Sequence, residues 1–254
     1  MRPENVNRPI DDYSTAERQV VDRLPTGGRR AVDGTEEREQ MDGSLARSQR
    51  EHWERTYSAH PGMYGDRPSE PAERAATVFP PGGAVLELGA GHGRDALFFA
   101  HQGFAVTAVD FSPVGLDQLT ARATADGLTV TTLVQDLRRP LHLPDGSVDA
   151  VYAHMLFCMA LSTAELEALV GEVRRVLRPG GVLVYTVRHT GDAHFGAGIS
   201  HGDDIWEHGG FAVHFFSSDL VDRLADGWGP AQVEPFEEGD LPRRLWRVTQ
   251  RRPA

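Results

Sequence analysis

"VLELGAGHGRD", residues 85–95, is the stretch that decides the fold. It reads as a buried strand running into a glycine turn that opens a helix. The glycines stand at 89, 91 and 93, giving G-x-G-x-G. A dinucleotide fingerprint asks for G-x-G-x-x-G, and the residue at that third position is Arg94. The missing glycine is the one that lets a helix pack closely beneath a pyrophosphate. Glu87 adds a second argument. It lies two residues before the turn, directed to the ligand side at the strand's carboxyl end, where a phosphate would be repelled and an ammonium or hydroxyl attracted.

Working outward, strand and helix alternate. The first strand is 84–90, the second 105–110, the third 128–136, the fourth 148–155 and the fifth 181–188, with helical stretches between most of them. A helix and two more strands, forming a closing hairpin, complete the chain. Continuous Val/Leu/Ala runs between helices indicate parallel strands covered on both faces. The expected fold is α/β: a doubly wound, Rossmann-like, seven-stranded sheet with helices on both faces. Asp110 ends the second strand, placed to accept from ribose hydroxyls, and Asp136 ends the third, placed to take the exocyclic amine of an adenine. Taken singly, the glycines are a tight turn, each acid is an ordinary helix or loop charge, and Phe111 is core. Jointly, three carboxylates ringing one sheet edge suit a cationic, adenosine-containing ligand without phosphate, a description S-adenosylmethionine meets.

The motifs "VLELGAGHGRDA", "VTAVDFS", "VQDLRRPLHLPDGSVDAVYAH" and "VRRVLRPGGVLVYTV", in this order, resemble the class I S-adenosylmethionine-dependent methyltransferases from about Ser44 to Arg252. The resemblance implies strand order 3-2-1-4-5-7-6 with one antiparallel strand. It implies that Glu87, Gly89, Ala90, Gly91 and Gly93 line the methionine side of the cofactor. Asp110 and Phe111 would hold and cover the ribose and adenine, Asp136 and Leu137 would read the base, and His154 would border the methyl group. Within the family, the compact size resembles the tellurite-resistance and thiopurine methyltransferase neighbourhood, or a tailoring enzyme of secondary metabolism.

Composition narrows the partners. The formal net charge is −11, which argues against nucleic acid because phosphate neutralisation needs a basic patch. No apolar run is long enough for a bilayer, and the N-terminus has no signal-peptide core. A cytoplasmic protein is the default expectation. The single cysteine, Cys158, reads as packing. All 26 basic residues are arginine, so Schiff-base and Walker-lysine chemistry are excluded. Residues 1–43 read as a disordered or loosely helical tail, with a short amphipathic helix at 11–24. This tail leaves a homodimer open without requiring one. Residues 44–82 read as a helical cap, with a second short helix opened by Ser69, and 83–254 as the cofactor-binding domain.

Two segments are candidates for the acceptor site. The cap offers Trp53, Tyr57, Met63 and Tyr64; Tyr64, beside a glycine, is assigned to the cofactor and Tyr57 to the substrate. The segment 188–216 carries His189, His194, His201, His208 and His214 among Asp192, Asp203, Asp204, Trp206 and Glu207. It reads as a glycine-spaced loop over the ligand, with Arg188, His194, Trp206 and His214 as substrate contacts. His154 and His189 are the expected acid/base or orienting groups. No His-x-His or HxxxH pair is present, so no metal is assigned, and at least three of the five histidines read as ordinary hydrogen-bonded residues. The expected activity is methyl transfer to a small molecule. A protein or peptide acceptor, a non-catalytic cofactor-binding module and, most weakly, a nicotinamide oxidoreductase are the alternatives.

Overall fold

Val85, Leu86 and Leu88 have almost no contact with solvent because β1 (Ala84–Leu88) is an interior strand. It pairs in parallel with β2 (Ala105–Asp110) on one side and β4 (Val148–His154) on the other. The computed structural model describes residues 35–239 and 243–254, with side chains from residue 43. The helix expected at 11–24 lies outside the described residues. With β3 (Val130–Val134), β5 (Leu177–Arg188), β9 (Gln232–Glu238) and β10 (Arg243–Arg251), the sheet runs β3-β2-β1-β4-β5-β10-β9. Counted along its own seven strands this is the order 3-2-1-4-5-7-6. β10 pairs antiparallel with both β5 and β9, the closing hairpin expected from the sequence.

Each face of the sheet carries its own core. On one face α2 (Glu70–Ala76), α3 (Arg94–His101) and α4 (Pro113–Ala125) bring Ala72, Phe99, Leu116 and Leu119 onto Val85, Ala108 and Val184. On the other, α5 (Thr163–Val176) and α6 (Ser218–Leu224) bring Leu166, Val173, Leu220 and Leu224 onto Leu86, Val151 and Tyr185. Each of the Leu, Val and Phe side chains among them contributes roughly 1.5–3 kcal/mol when removed from water. Serine caps set the helix starts: Ser112 opens α4, and Ser162 forms a capping box with Glu165 at α5. Ser69 caps α2 through Ala72 N–H, but its own N–H donates to Asp95 of α3 (2.8 Å) and not to a glutamate of α2. That bond ties the cap segment to the glycine turn.

The cap helix α1 (Thr35–Ala59) begins earlier than the charge pattern predicts, within the segment assigned to the tail. The segment 188–216 also differs from its expectation. Beyond residue 198 it is a three-stranded antiparallel sheet, β6 (Ile199–Gly202), β7 (Ile205–His208) and β8 (Phe211–His214), and not a loop. Two-residue turns make this possible. Asp203 and Asp204 (φ 55° and 54°) and Gly209 and Gly210 (φ 60° and 82°) hold paired positive φ values, as type I′ hairpins demand.

Candidate active site

At the end of β1 the backbone N–H groups of Gly89 and Ala90 both donate to Val109 O of β2 (2.8 and 3.1 Å). This fixes the turn against the neighbouring strand. Asp110 completes the brace: its carboxylate accepts Gly91 N–H and Ser112 N–H, each at 2.8 Å. Burial pushes its pKa up to about 6 against those backbone bonds. Glu87 is also buried, at 4% exposure, and its Oε2 has no hydrogen-bond partner among the described residues. Burial, with the like charge of Asp95 added, pushes this carboxyl well above the usual range. An orphaned buried carboxyl oxygen beside an open glycine turn suits a ligand that donates to it.

Gly89, Asp110, Phe111, Asp136 and Leu137 line one narrow cavity, bringing together five of the residues assigned to the cofactor. Its roof is α1, through Ala46, Gln49, Arg50 and Trp53, together with Leu156 and Met159. The sequence reading missed Gln49 and Arg50. Gln49 is bonded both ways to the added sheet, donating to Gly210 O (3.0 Å) and accepting Ala212 N–H (3.1 Å). Arg50 lies 5.2 Å over the Phe111 ring and 3.3 Å from Asp136 Oδ2. Burial alone would raise Asp136, but Arg138 N–H and the charges of Arg138 and Arg50 hold it below the usual carboxylate range.

Both cap tyrosines reach the glycine turn. Tyr57 is buried, stacks on Trp53 (5.6 Å) and comes so near Gly91 that a Cβ there would stand 2.6 Å from its hydroxyl. Tyr57, assigned to the substrate from the sequence, therefore lies against the glycine turn. Tyr64 stacks on His92 at 5.3 Å, and its N–H donates to His92 Nε2 (3.2 Å). Burial, reinforced by Arg122, pushes the His92 pKa down to about 4, so this unassigned histidine is neutral at physiological pH. His154 stands at the end of β4, with Nδ1 2.8 Å from Thr186 Oγ1 and Nε2 3.6 Å from Glu238 Oε1.

A family model described as "Methyltransferase domain" matches residues 85–181, the span that carries β1, the glycine turn, Asp110, Asp136 and His154. Residues 85–181 thus carry a methyltransferase domain, set in a sheet with the strand order that the S-adenosylmethionine-dependent class I resemblance implies. The chain is 37% identical over 123 residues to the phosphatidylethanolamine N-methyltransferase of Cereibacter sphaeroides, covering 48% of this chain and 59% of that protein. The chain spans about half the length of the curated relatives it matches. Among solved structures, the fold is similar to the 1,6-didemethyltoxoflavin-N1-methyltransferase of Burkholderia thailandensis, with TM-score 0.62 and 17% identity. That match covers 90% of this chain and 94% of the other. The CcbJ methyltransferase of Streptomyces caelestis matches with TM-score 0.60 and 21% identity, over 78% of this chain and 95% of its own.

The methyltransferase domain does not gather the histidine-rich segment into the cofactor cavity; among the described residues, none from 188–216 lines it. His189 lies flat on Trp246 (4.4 Å, 5°), and its Nδ1 accepts Gly191 N–H (3.0 Å). His201 Nε2 pairs with Glu207 (2.8 Å), and the buried His214 donates Nδ1–H to Leu161 O (2.7 Å). Trp206 packs on the core beside Phe195. No helix among the described residues is long and apolar enough to cross a membrane, and no group of three His, Cys, Asp or Glu among them is placed to hold a metal ion.

Arg188, read from the sequence either as a contact for an anionic substrate or as the partner of a nearby acid, is buried on Asp192, with Nη2–Oδ1 2.6 Å and Nε–Oδ2 3.3 Å. His194 Nδ1 completes the cluster, 2.8 Å from Arg188 Nη2. Asp192 also accepts the N–H groups of His194 and Arg244, pinning the segment to β10. Burial opposes its charge, yet the Arg188 bond and these N–H groups draw its pKa down to about 2. Asp192→Ala is expected to destabilise the protein by about 3–5 kcal/mol in urea unfolding, because it strands a buried guanidinium. Since the folded pKa lies below the unfolded one, this contribution is complete above about pH 4 and is lost as pH falls toward 2. An unfolding midpoint equal to wild type at neutral pH would show Arg188 to be solvated.

Proposed function

We propose that the protein transfers a methyl group from S-adenosylmethionine to a small-molecule acceptor. One observation carries the reading: Asp110, Phe111, Asp136 and Leu137 share a cavity with Gly89 of the glycine turn, two residues after Glu87, whose buried Oε2 has no hydrogen-bond partner among the described residues. The cofactor supplies a methyl group on a positively charged sulfur, an electrophile that needs no covalent help. The residues here fit it. Glu87 accepts from the amino group, Asp110 from the ribose hydroxyls, and Asp136 from the base, with Phe111 against the adenine. Entry of the base takes Asp136 and Phe111 away from Arg50. The cap residues Trp53, Tyr57 and Tyr64 close over the site and exclude water, which leaves alignment of the acceptor as the main catalytic contribution. His154 stands at the methyl end.

The small-molecule class is supported by the fold neighbour whose structure holds 1,6-didemethyltoxoflavin and S-adenosylhomocysteine. The test is incubation of the protein with deuteromethyl cofactor and a cell extract, followed by mass spectrometry. A new deuteromethyl adduct in the low-mass fraction is expected. Label confined to protein bands would move the acceptor to a polypeptide, and no label in either fraction would refute the activity. With an acceptor in hand, His154→Ala should lower turnover by on the order of 10²-fold or more, with S-adenosylhomocysteine affinity held within about threefold.

A further inference from the structure

Arg50 makes with the cavity the two contacts assigned above to the base. Its guanidinium lies 5.2 Å over the Phe111 ring and 3.3 Å from Asp136 Oδ2. A guanidinium is planar, stacks on an aromatic face and donates N–H to a carboxylate. An adenine ring with its exocyclic amine does the same at the same two surfaces, and both cannot do so at once. The space is also short. The cavity measures about 50 Å³, against roughly 300–1,000 Å³ for pockets that take a small molecule. Some lining group must therefore withdraw before a base enters. The neighbours of Arg50 are tied down. Gln49 is bonded both ways to Gly210 and Ala212 (3.0 and 3.1 Å), and Trp53 packs on Phe211 and Tyr57 at 5.6 Å each. Gln118 Nε2 donates to Tyr57 O (2.9 Å), which fixes the end of α1 to α4. Arg138, the other cation on Asp136, is held at Glu165 Oε1 (3.0 Å) and Ala160 O (2.7 Å). Arg50 is the one exposed residue among those lining the cavity, its side chain 46% open to solvent.

We infer that Arg50 is a plug: its side chain, and not the cap helix as a body, closes the base subsite and is displaced by the adenine of the cofactor. The inference rests on the methyltransferase reading above. Withdrawal breaks one exposed ion pair and one ring contact, and the incoming base remakes both on the other side. Asp136 is not stranded, because it keeps Arg138 Nη1 at 3.4 Å and the Arg138 backbone N–H at 3.1 Å. The apparent affinity of a ligand is lowered by the fraction of molecules whose site is open to it. Cofactor and demethylated product carry the same base, so the plug opposes both alike. It sets how readily one exchanges for the other and does not choose between them.

The test compares the full chain with its Arg50→Ala variant by calorimetry with S-adenosylhomocysteine, and follows the wild-type Arg50 side chain by NMR. Removing the plug should tighten binding by about three- to thirtyfold, the combined worth of an exposed ion pair and an exposed cation–ring contact. In the wild type alone, the Arg50 side-chain protons should be shifted upfield by the Phe111 ring, in signals that the variant lacks. Saturation with S-adenosylhomocysteine should return them to the values of a solvated arginine. Equal or weaker binding by Arg50→Ala would show that Arg50 supports the base or leaves it untouched, and would overturn the inference alone. Side-chain signals that do not move on saturation would overturn it equally. Failure of both proteins to bind the ligand would overturn the methyltransferase reading and the inference with it.

Discussion

Asp110→Ala is expected to weaken S-adenosylhomocysteine binding by about two to four orders of magnitude. The figure follows from two ribose hydroxyl bonds to a charged acceptor, each worth about 1.5–3 kcal/mol. The substitution also releases Gly91 N–H and Ser112 N–H, so the shape of the glycine turn is lost together with the ribose contact. Affinity should therefore be measured by calorimetry under conditions where circular dichroism shows the variant folded. The same carboxyl predicts a pH dependence. Its pKa is pushed up to about 6 by burial, and the ionised form is the better acceptor. Wild-type affinity should accordingly be flat above pH 6 and fall by up to tenfold per unit below it. Stability runs the other way. A raised carboxyl pKa means that ionisation in the native state carries a cost, absent below about pH 4, growing toward pH 6 and constant above. Affinity within tenfold of wild type in the alanine variant would remove Asp110 from the ribose.

The parts of this site that were legible in the sequence are those where one strand end fixes several residues at once. Glu87, Gly89 and Gly91 follow from where β1 stops, and Asp110 from where β2 stops, because parallel neighbours in register bring both ends to the same edge. The strand order came through the family resemblance; periodicity alone does not distinguish it from other doubly wound orders. Arg50 and Gln49 were not legible. Their partners stand 86 and 161 residues away, and nothing local in an exposed-looking helical stretch says which side chains turn inward. Glu238 was hidden for the same reason, as an acid in a hairpin strand whose pairing with β10 carries it back to His154. In contrast, the small sheet at 199–214 was legible and was misread. Its Asp-Asp and Gly-Gly pairs between short apolar alternations are hairpin signals, obscured by the histidines around them. The Arg188–Asp192 pair was also within reach, four residues apart, but a strand-end arginine invites a ligand reading that only burial removes.

Gly93→Ala should cost about 2–5 kcal/mol of stability, whereas Gly103→Ala should cost no more than about 2. Both glycines hold φ near +83°, so both substitutions carry the left-handed penalty of roughly 1–2 kcal/mol for a side-chain-bearing residue. They differ in what the new methyl group meets. At Gly103 nothing lies within 4 Å. At Gly93 an added Cβ would stand 2.2 Å from Leu119 Cδ1 and 2.8 Å from its Cβ, and Leu119 is fully buried. Relief requires moving α4, since the near atoms include the root of the side chain and not merely its tip. Overpacking of this kind costs a further 1–3 kcal/mol or so. One turn earlier on α4, Gly115 lies against Gly91 so closely that its own Cβ would meet the Gly91 backbone at 2.9 Å. The glycine turn is thus clamped between the cap and α4, and Gly93 permits the tight helix approach that the dinucleotide fingerprint assigns to a glycine one residue later. Urea unfolding of the two variants side by side separates packing from backbone strain. Equal losses would mean that α4 yields freely and that the third glycine of the motif serves the turn alone.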